Sequence, residues 1–375
     1  MRATLTSISA VILSAWLLQI GNGLQTDLIS VRADLAGFGA GTIGWMMATY
    51  YLGYSLAPLA ARRIVGCSGH VGAIALCAAA AGAMILAHPF VIAPLPWAAF
   101  RFVSGFSLSL VYVAYESWIN ERAPNAERGR VFSLYIVVQM LAMLLAQYLL
   151  GKGDPANANL FALASALFVM ASVPVIAARR TAPEHAPPAP LGLVKLFTMS
   201  PLGVGAAALA GLAWSVLFTF GPIYAKHVGF DLAGIGLFMA VAMGAGGVLQ
   251  LPFGWLSDVA GRRRVIAAMF ALGLAASLFG LWAADRGTGA NLVAVAAAGG
   301  FVFPLYAISV AHVNDRTTQQ TRVAAAAGLI LLFGLGSILG PLLSGWAFGA
   351  LGPKGLYAVL AFTTAAGLMT AARWR

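Results

Sequence analysis

Two ionisable residues stand inside otherwise apolar runs of this chain, Asp27 in the first run and Arg101 early in the fourth. A charge in hydrocarbon is costly, so such groups face a cavity or a partner and mark routes for protons or polar solutes. If Asp27 and Arg101 meet, each neutralises the other, and protonating Asp27 releases Arg101, which is the chemistry of a proton-coupled switch. The competing arrangement puts Asp27 in interfacial water and Arg101 against backbone carbonyls. On the first run Gln19, Asn22 and Thr26 follow one another at spacings of three and four, which sets three hydrogen-bonding groups on one helical face. In lipid that face must meet protein or water. Tyr50 and Tyr54 in the second run, and Gln139 and Gln147 in the fifth, repeat the pattern more weakly. Trp214, Phe218 and Tyr306 add aromatic walls. The cavity expected from these residues is aromatic and amide-rich, with little fixed charge.

A second set of charged residues lies between the apolar runs. Glu116 follows Arg101 by 15 residues, about 22 Å along one helix, so the two cannot share a site. Its expected partners are the arginines Arg62, Arg63, Arg128 and Arg130, either as a latch on a cytoplasmic mouth or as an interfacial salt bridge of little energetic weight. The segment from Gly254 to Arg264 sets an acid, a glycine and a basic triplet between two apolar runs. It reads as a tight turn at a membrane surface, with Asp258 capping or pairing near a helix end and Arg262, Arg263 and Arg264 meeting the anionic leaflet. The expected cytoplasmic gate therefore comprises Arg62, Arg63, Glu116, Gly254, Asp258, Gly261, Arg262 and Arg263.

These residues need elements that hold them at defined depths, and the composition says which. The chain is 61% hydrophobic and 9% charged, with a mean hydropathy of +0.89, whereas a soluble domain carries about 25% charged residues. Twelve apolar spans are expected, at roughly 6–28, 39–60, 69–88, 94–117, 130–150, 158–178, 200–224, 232–256, 264–284, 290–312, 323–347 and 354–372. Only helices satisfy their own backbone at that depth without closing a barrel. Of the lysines and arginines, sixteen fall at the termini and on one set of alternate loops and five on the other set. That bias predicts a multi-pass membrane protein with both termini cytoplasmic. The net charge of +11 is thus a topology signal rather than a nucleic-acid footprint, because the basic residues form no single patch. Cys67 and Cys77 form no disulfide framework and no metal-ligand spacing.

The segment 179–198 carries Pro183, Pro187, Pro188 and Pro190 and reads as a cytoplasmic linker between two six-helix bundles, 1–178 and 199–375. A shift of 192 residues lays Gly37-Phe38 on Gly229-Phe230, Ile43-Gly44 on Ile235-Gly236 and Gly69 on Gly261. The halves read as diverged copies in the same orientation, an arrangement that binds solute near the bilayer midplane.

With these residues in place the chain resembles the major facilitator superfamily over essentially its whole length. Gly254, Asp258, Gly261, Arg262 and Arg263 fit the signature of its loop between helices 8 and 9. Arg101 to Gly105 looks like its helix 4 motif. The first-half copy of the loop signature is degenerate, with Arg62 at the place of Gly254 and Gly66 at that of Asp258. Glu116-Ser117-Trp118, Pro304-Leu305-Tyr306 and His312-Val313-Asn314-Asp315 resemble an uncharacterised bacterial subgroup, the YcaD-like transporters. The resemblance implies an all-α polytopic fold of two pseudo-repeat bundles, with helices 1, 4, 7 and 10 lining the cavity. It implies a monomeric secondary transporter of a small organic solute in a bacterial inner membrane, needing no cofactor, with export and uptake both open; coupling to protons is the expectation carried by Asp27 and Arg101. The helix 5 signature of some drug exporters is absent from Val131 to Gly151, while a similar string, Gly336-Ser337-Ile338-Leu339-Gly340-Pro341, lies in the eleventh span. That string reads as small residues permitting close helix packing. No phosphate-cradling loop serves ATP, and the five histidines form no metalloenzyme motif. A non-transporting receptor or scaffold of the same fold is the alternative reading.

Overall fold

A computed structural model describes residues 2–123, 127–183, 192–317 and 321–374; within these, the side chains of 2–7, 128, 129, 193, 322–324 and 327 lie outside the description. The expectations placed on the side chains of Arg2, Arg128 and Arg322, and on Pro187, Pro188, Pro190 and Arg375, therefore fall outside the description. The described regular structure is helical: α1 (Arg2–Leu35), α2 (Ala40–Ala87), α3 (Pro94–Arg122), α4 (Arg128–Lys152), α5 (Asn159–Ala177), the short α6 (Leu193–Met199), α7 (Pro201–His227), α8 (Leu232–Ala260), α9 (Arg262–Ala283), α10 (Thr288–Asn314), α11 (Arg322–Leu351) and α12 (Gly355–Arg373). Among the described residues, ten stretches are long and apolar enough to cross a membrane. Two of them, 51 and 46 residues long, are each about twice the ~20 residues one crossing needs. The first breaks at Gly69, and the second turns at Gly352–Lys354.

Several boundaries differ from those expected. The first span was read to end at residue 28, but α1 continues to Leu35. Its polar last turns hold their shape because Gly37 closes the helix with φ 75° and its N–H bonds the Asp34 carbonyl, while the Phe38 N–H bonds that of Ala33. Arg62 and Arg63 were expected on a loop and lie on α2. Gly254 and Asp258 were expected in a turn and lie on α8, so the turn contracts to Gly261 alone. Each junction is a single glycine outside helical space, Gly69 at φ 68°, ψ 168° and Gly261 at φ 91°, ψ 132°, a region that side-chain-bearing residues rarely enter.

The shift of 192 is visible in the backbone. Gly37 and Gly229 both have positive φ, as do Gly69 and Gly261. The bonds Gly37 N–H to Asp34 and Phe38 N–H to Ala33 recur as Gly229 to Lys226 and Phe230 to Ala225.

The chain forms two compact units, one of 1–29 with 52–189 and one of 30–51 with 190–375. In the second unit, α7 packs on α8, α10, α11 and α12 and is buried along most of its length. Its seam with α11 is made of small residues. A Cβ on Gly211 would strike the Phe333 carbonyl, one on Gly336 the Ala208 carbonyl, and one on Gly340 the Ser215 hydroxyl. Ser337 donates to the Gly211 carbonyl at 3.0 Å. The string from Gly336 to Pro341 is thus a packing seam, where bare backbones gain the dispersion contacts that bind helices in lipid.

Gly261→Ala and Gly69→Ala should each lower stability by about 1–3 kcal/mol, because the glycine-only backbone is lost. Gly254→Ala, helical and with open space around its Cβ, should stay within about 0.5 kcal/mol. Thermal unfolding of the three purified variants in detergent checks the contrast.

Candidate functional site

Asp27 lies eight residues inside the end of α1, about 12 Å from that end, and is fully buried rather than in interfacial water. The extra turns of α1 beyond the expected boundary draw it inward. Gln147 of α4 donates its Nε2 hydrogen to Asp27 Oδ2 at 2.6 Å. Arg101 of α3 is also fully buried and within electrostatic reach of the Asp27 carboxyl. His88, in the 3-10 turn after α2, lies in the field of the same guanidinium. Its Nδ1 bonds the Met84 carbonyl at 2.8 Å, and its ring packs among Trp97, Phe100 and Phe161. Three helices and one turn thus set an acid, an amide, a guanidinium and an imidazole in one buried neighbourhood. An arrangement of this kind can hold or release a proton away from bulk water.

One turn or more back along α1, the expected amide stripe is wired through a residue that sequence reasoning missed. Tyr112 of α3 donates its hydroxyl hydrogen to Gln19 Oε1, and Asn22 donates to the Tyr112 oxygen at 3.3 Å. Gln25 donates to Asn22 Oδ1, and Thr26 donates to the Asn22 carbonyl at 2.9 Å. Gln19 and Thr26 are buried, whereas Asn22 and Tyr112 are partly exposed. Tyr112 lies eleven residues after Arg101, about three helical turns on the same face, and that spacing was the available signal.

The remaining expected residues divide. Tyr50 is buried edge-on against Tyr51. Tyr54 lies in the electrostatic surroundings of Tyr135, as does Glu116. Glu116 makes no ion pair with Arg62, Arg63 or Arg130 among the described residues, and Arg62 and Arg63 are exposed. Gln139 is half-buried. In the second unit Trp214 sits 4.8 Å from Phe218 and 4.7 Å from Phe303, and Tyr306 sits 4.8 Å from Phe333. Between Ala210 and Ala225, Trp214 is the one residue of α7 that is not buried.

At the α8–α9 junction Arg262 reaches both ways. It pairs with Asp258 at 2.7 Å and with Asp315, beyond the end of α10, at 3.0 Å, and it donates to Ser257 at 2.7 Å. Arg263 donates to the Ala371 carbonyl of α12 at 3.1 Å. Two of the three arginines expected at the lipid headgroups are therefore committed to protein, and Arg264 is exposed. Asp315 was legible only as part of the subgroup-like string from His312. Elsewhere in this unit Lys226 and His227 of α7 meet Asp34 at 2.5 and 3.2 Å. Asp34 and Lys226 are the two positions that the 192-residue shift superposes.

This fold and these charges define a polytopic helical membrane protein with a buried polar centre. The chain belongs to the Major Facilitator Superfamily, whose family model matches residues 3–249 and 203–375. It is 27% identical over 247 residues to the uncharacterised MFS-type transporter YcaD of Escherichia fergusonii, covering 65% of this chain and 63% of that protein. The YcaD proteins of Escherichia coli strains match at 28% over 248 residues, again across 65% and 63% of the two lengths. The aligned part thus spans less than two thirds of these curated relatives. Among solved structures, the nucleoside transporter NupG superposes with a TM-score of 0.77 at 15% identity, covering 99% of this chain and 98% of that one. A D-xylose–proton symporter superposes with a TM-score of 0.72 at 15% identity over 97% and 96%. At such identities the likeness carries the fold alone.

Asp258 and Asp315 are 63% and 54% exposed, so each pair with Arg262 contributes roughly 0–1 kcal/mol. Arg262→Ala should therefore leave thermal stability within about 2 kcal/mol of the parent, and thermal unfolding with and without added salt measures it.

Proposed function

We propose that this chain is a secondary active transporter that moves a small organic solute across a bacterial inner membrane by alternating access, coupled to protons through Asp27 and Arg101. The observation that carries this reading is the burial of Asp27 within a family of transporters, with Arg101 in electrostatic reach. A fully buried carboxyl on a membrane helix is too costly to serve packing alone. When Asp27 is ionised it balances the Arg101 guanidinium. When it takes up a proton the guanidinium loses its countercharge, and the preferred packing of α1 on α3 changes. A transporter needs such a difference between its two states, because a bound species shifts a conformational equilibrium only by binding the states unequally.

The solute proposed is neutral or weakly charged, with hydroxyl or amide groups. Asn22 and Tyr112 carry that part of the reading, since they are the partly exposed members of the network and present both donors and acceptors. The names of two structural neighbours, a nucleoside transporter and a D-xylose–proton symporter, are compatible with such chemistry. Within the second unit, the cluster of Arg262, Asp258 and Asp315 would bias the conformational equilibrium.

The orientation proposed has both termini in the cytoplasm, and the exposed Cys67 next to the break at Gly69 then faces the same side. A membrane-impermeant maleimide should label Cys67 in inside-out vesicles and spare it in intact spheroplasts; the reverse pattern overturns the orientation. For coupling, a thermal-shift screen of metabolites and drugs on the purified protein supplies a solute for flux assays in liposomes. Asp27→Asn should abolish acceleration by an imposed proton gradient while leaving solute exchange without a gradient. Gradient-driven flux in Asp27→Asn equal to that of the parent overturns proton coupling at this residue.

A further inference from the structure

The polar partner that Asp27 touches is an amide, and an amide differs from the nearby guanidinium in a way that matters for a proton. A carboxylate only accepts hydrogen bonds, a carboxylic acid must also donate one, and a guanidinium only donates. Arg101 therefore suits the ionised form of Asp27 and offers nothing to the hydrogen of the protonated form. A glutamine side chain carries both functions on one rotor, whose terminal torsion is broad and close to two-fold.

Gln147 is built into this position. It is 1% exposed, and its Nε2 donates to Asp27 Oδ2 at 2.6 Å. Gln147 Oε1 and Asp27 Oδ1 are both buried and without a hydrogen-bond partner among the described residues. The groups around the pair come from several elements. α3 contributes Arg101, and the turn after α2 contributes His88, whose Nε2 is likewise unpartnered among the described residues. On α4 the nearest charge along the chain, Lys152, is five residues on from Gln147, exposed and over the Tyr148 ring. Of these, the glutamine amide is hydrogen-bonded to the carboxyl and can serve both of its protonation states without changing its own charge.

We infer that Gln147 is the positioning residue that lets Asp27 hold a proton inside the membrane, donating from Nε2 to the carboxylate and, after a half-turn of its amide, accepting at Oε1 from the carboxylic acid. This deepens the proton-coupled reading proposed above and rests on it. The proton arrives on an Asp27 oxygen and leaves from it; Gln147 neither gains nor loses one. The consequence is selective. The link between α1 and α4 persists in both protonation states, while the attraction between α1 and α3 through Arg101 exists in one. Protonation would then free α3 from α1 and keep α4 attached, instead of loosening the bundle as a whole.

The test uses full-length protein in lipid nanodiscs without solute, followed by infrared difference spectra across a pH titration. The carboxylic C=O band of protonated Asp27 is identified by its loss in Asp27→Asn. In Gln147→Leu that band should change position, and its titration midpoint should move by about one pH unit or more, the scale of losing a hydrogen bond to a charged group. A side chain that merely packs would lower the unfolding temperature of Gln147→Leu and leave band and midpoint where they are in the parent, which overturns the inference. Should Gln147→Leu fail to fold, Gln147→Asn withdraws both functions by one methylene and should likewise displace the midpoint; an unmoved midpoint overturns the inference equally. If Asp27→Asn removes no titrating band, the proton-coupled reading itself fails, an outcome separate from either result at Gln147.

Discussion

At hydrocarbon depth the backbone has no water to bond, and every N–H and C=O must be satisfied inside its own helix. The rest of the structure follows from that constraint. Helices assembled in lipid have no hydrophobic drive toward one another, so they associate where bare backbone permits close contact. The seam of α7 and α11 at Gly211, Gly336 and Gly340 is the plainest case. Small polar side chains inside the helices obey the same rule by turning back on their own backbone. Ser277, Ser309, Thr363 and Thr364 each donate to a carbonyl four residues earlier. With such groups neutralised locally, the polar side chains that reach between helices stand out, and in the first unit they include the groups at Asp27 and at Tyr112.

Duplication adds a second constraint. Two copies of one sequence cannot form an ion pair between equivalent positions unless one copy changes sign. Here it has changed, with Asp34 in the first copy and Lys226 in the second, and the two side chains meet. The helix breaks have diverged in another way. Gly69 and Gly261 both stand at positive φ, but the acid present at Asp258 has no counterpart at Gly66. Backbone geometry is retained because the fold needs a glycine there. Charge is free to vary because exposed pairs weigh little in stability.

Much of the fold was legible in the chain because hydropathy and breaker residues act locally. The apolar spans, the glycines at 37, 69, 229 and 261 and the small-residue seam in α11 can all be read in one dimension. The expected boundaries are too short wherever polar residues continue a helix past the apolar run, as at Ser30 to Leu35, Arg62 to Ser68 and Ser257 to Ala260. There the helix ends at the next residue able to leave helical space, and hydropathy does not report that.

The site divides along the same line. Residue types alone singled out Asp27 and Arg101, because a charge within an apolar run is costly wherever the helix packs. The Gln19, Asn22 and Thr26 stripe was likewise visible from helical periodicity. What the sequence could not supply is which partner each of these groups chooses. Gln147 lies 120 residues from Asp27, and Tyr112 lies 93 from Gln19 and 90 from Asn22. Asp315 lies 53 residues from Arg262. These pairings depend on the rotation of each helix about its axis and on its depth against its neighbours. Both are set by the packing of whole helices, so the sequence by itself determined which residues must be matched, and the tertiary structure alone decided with what.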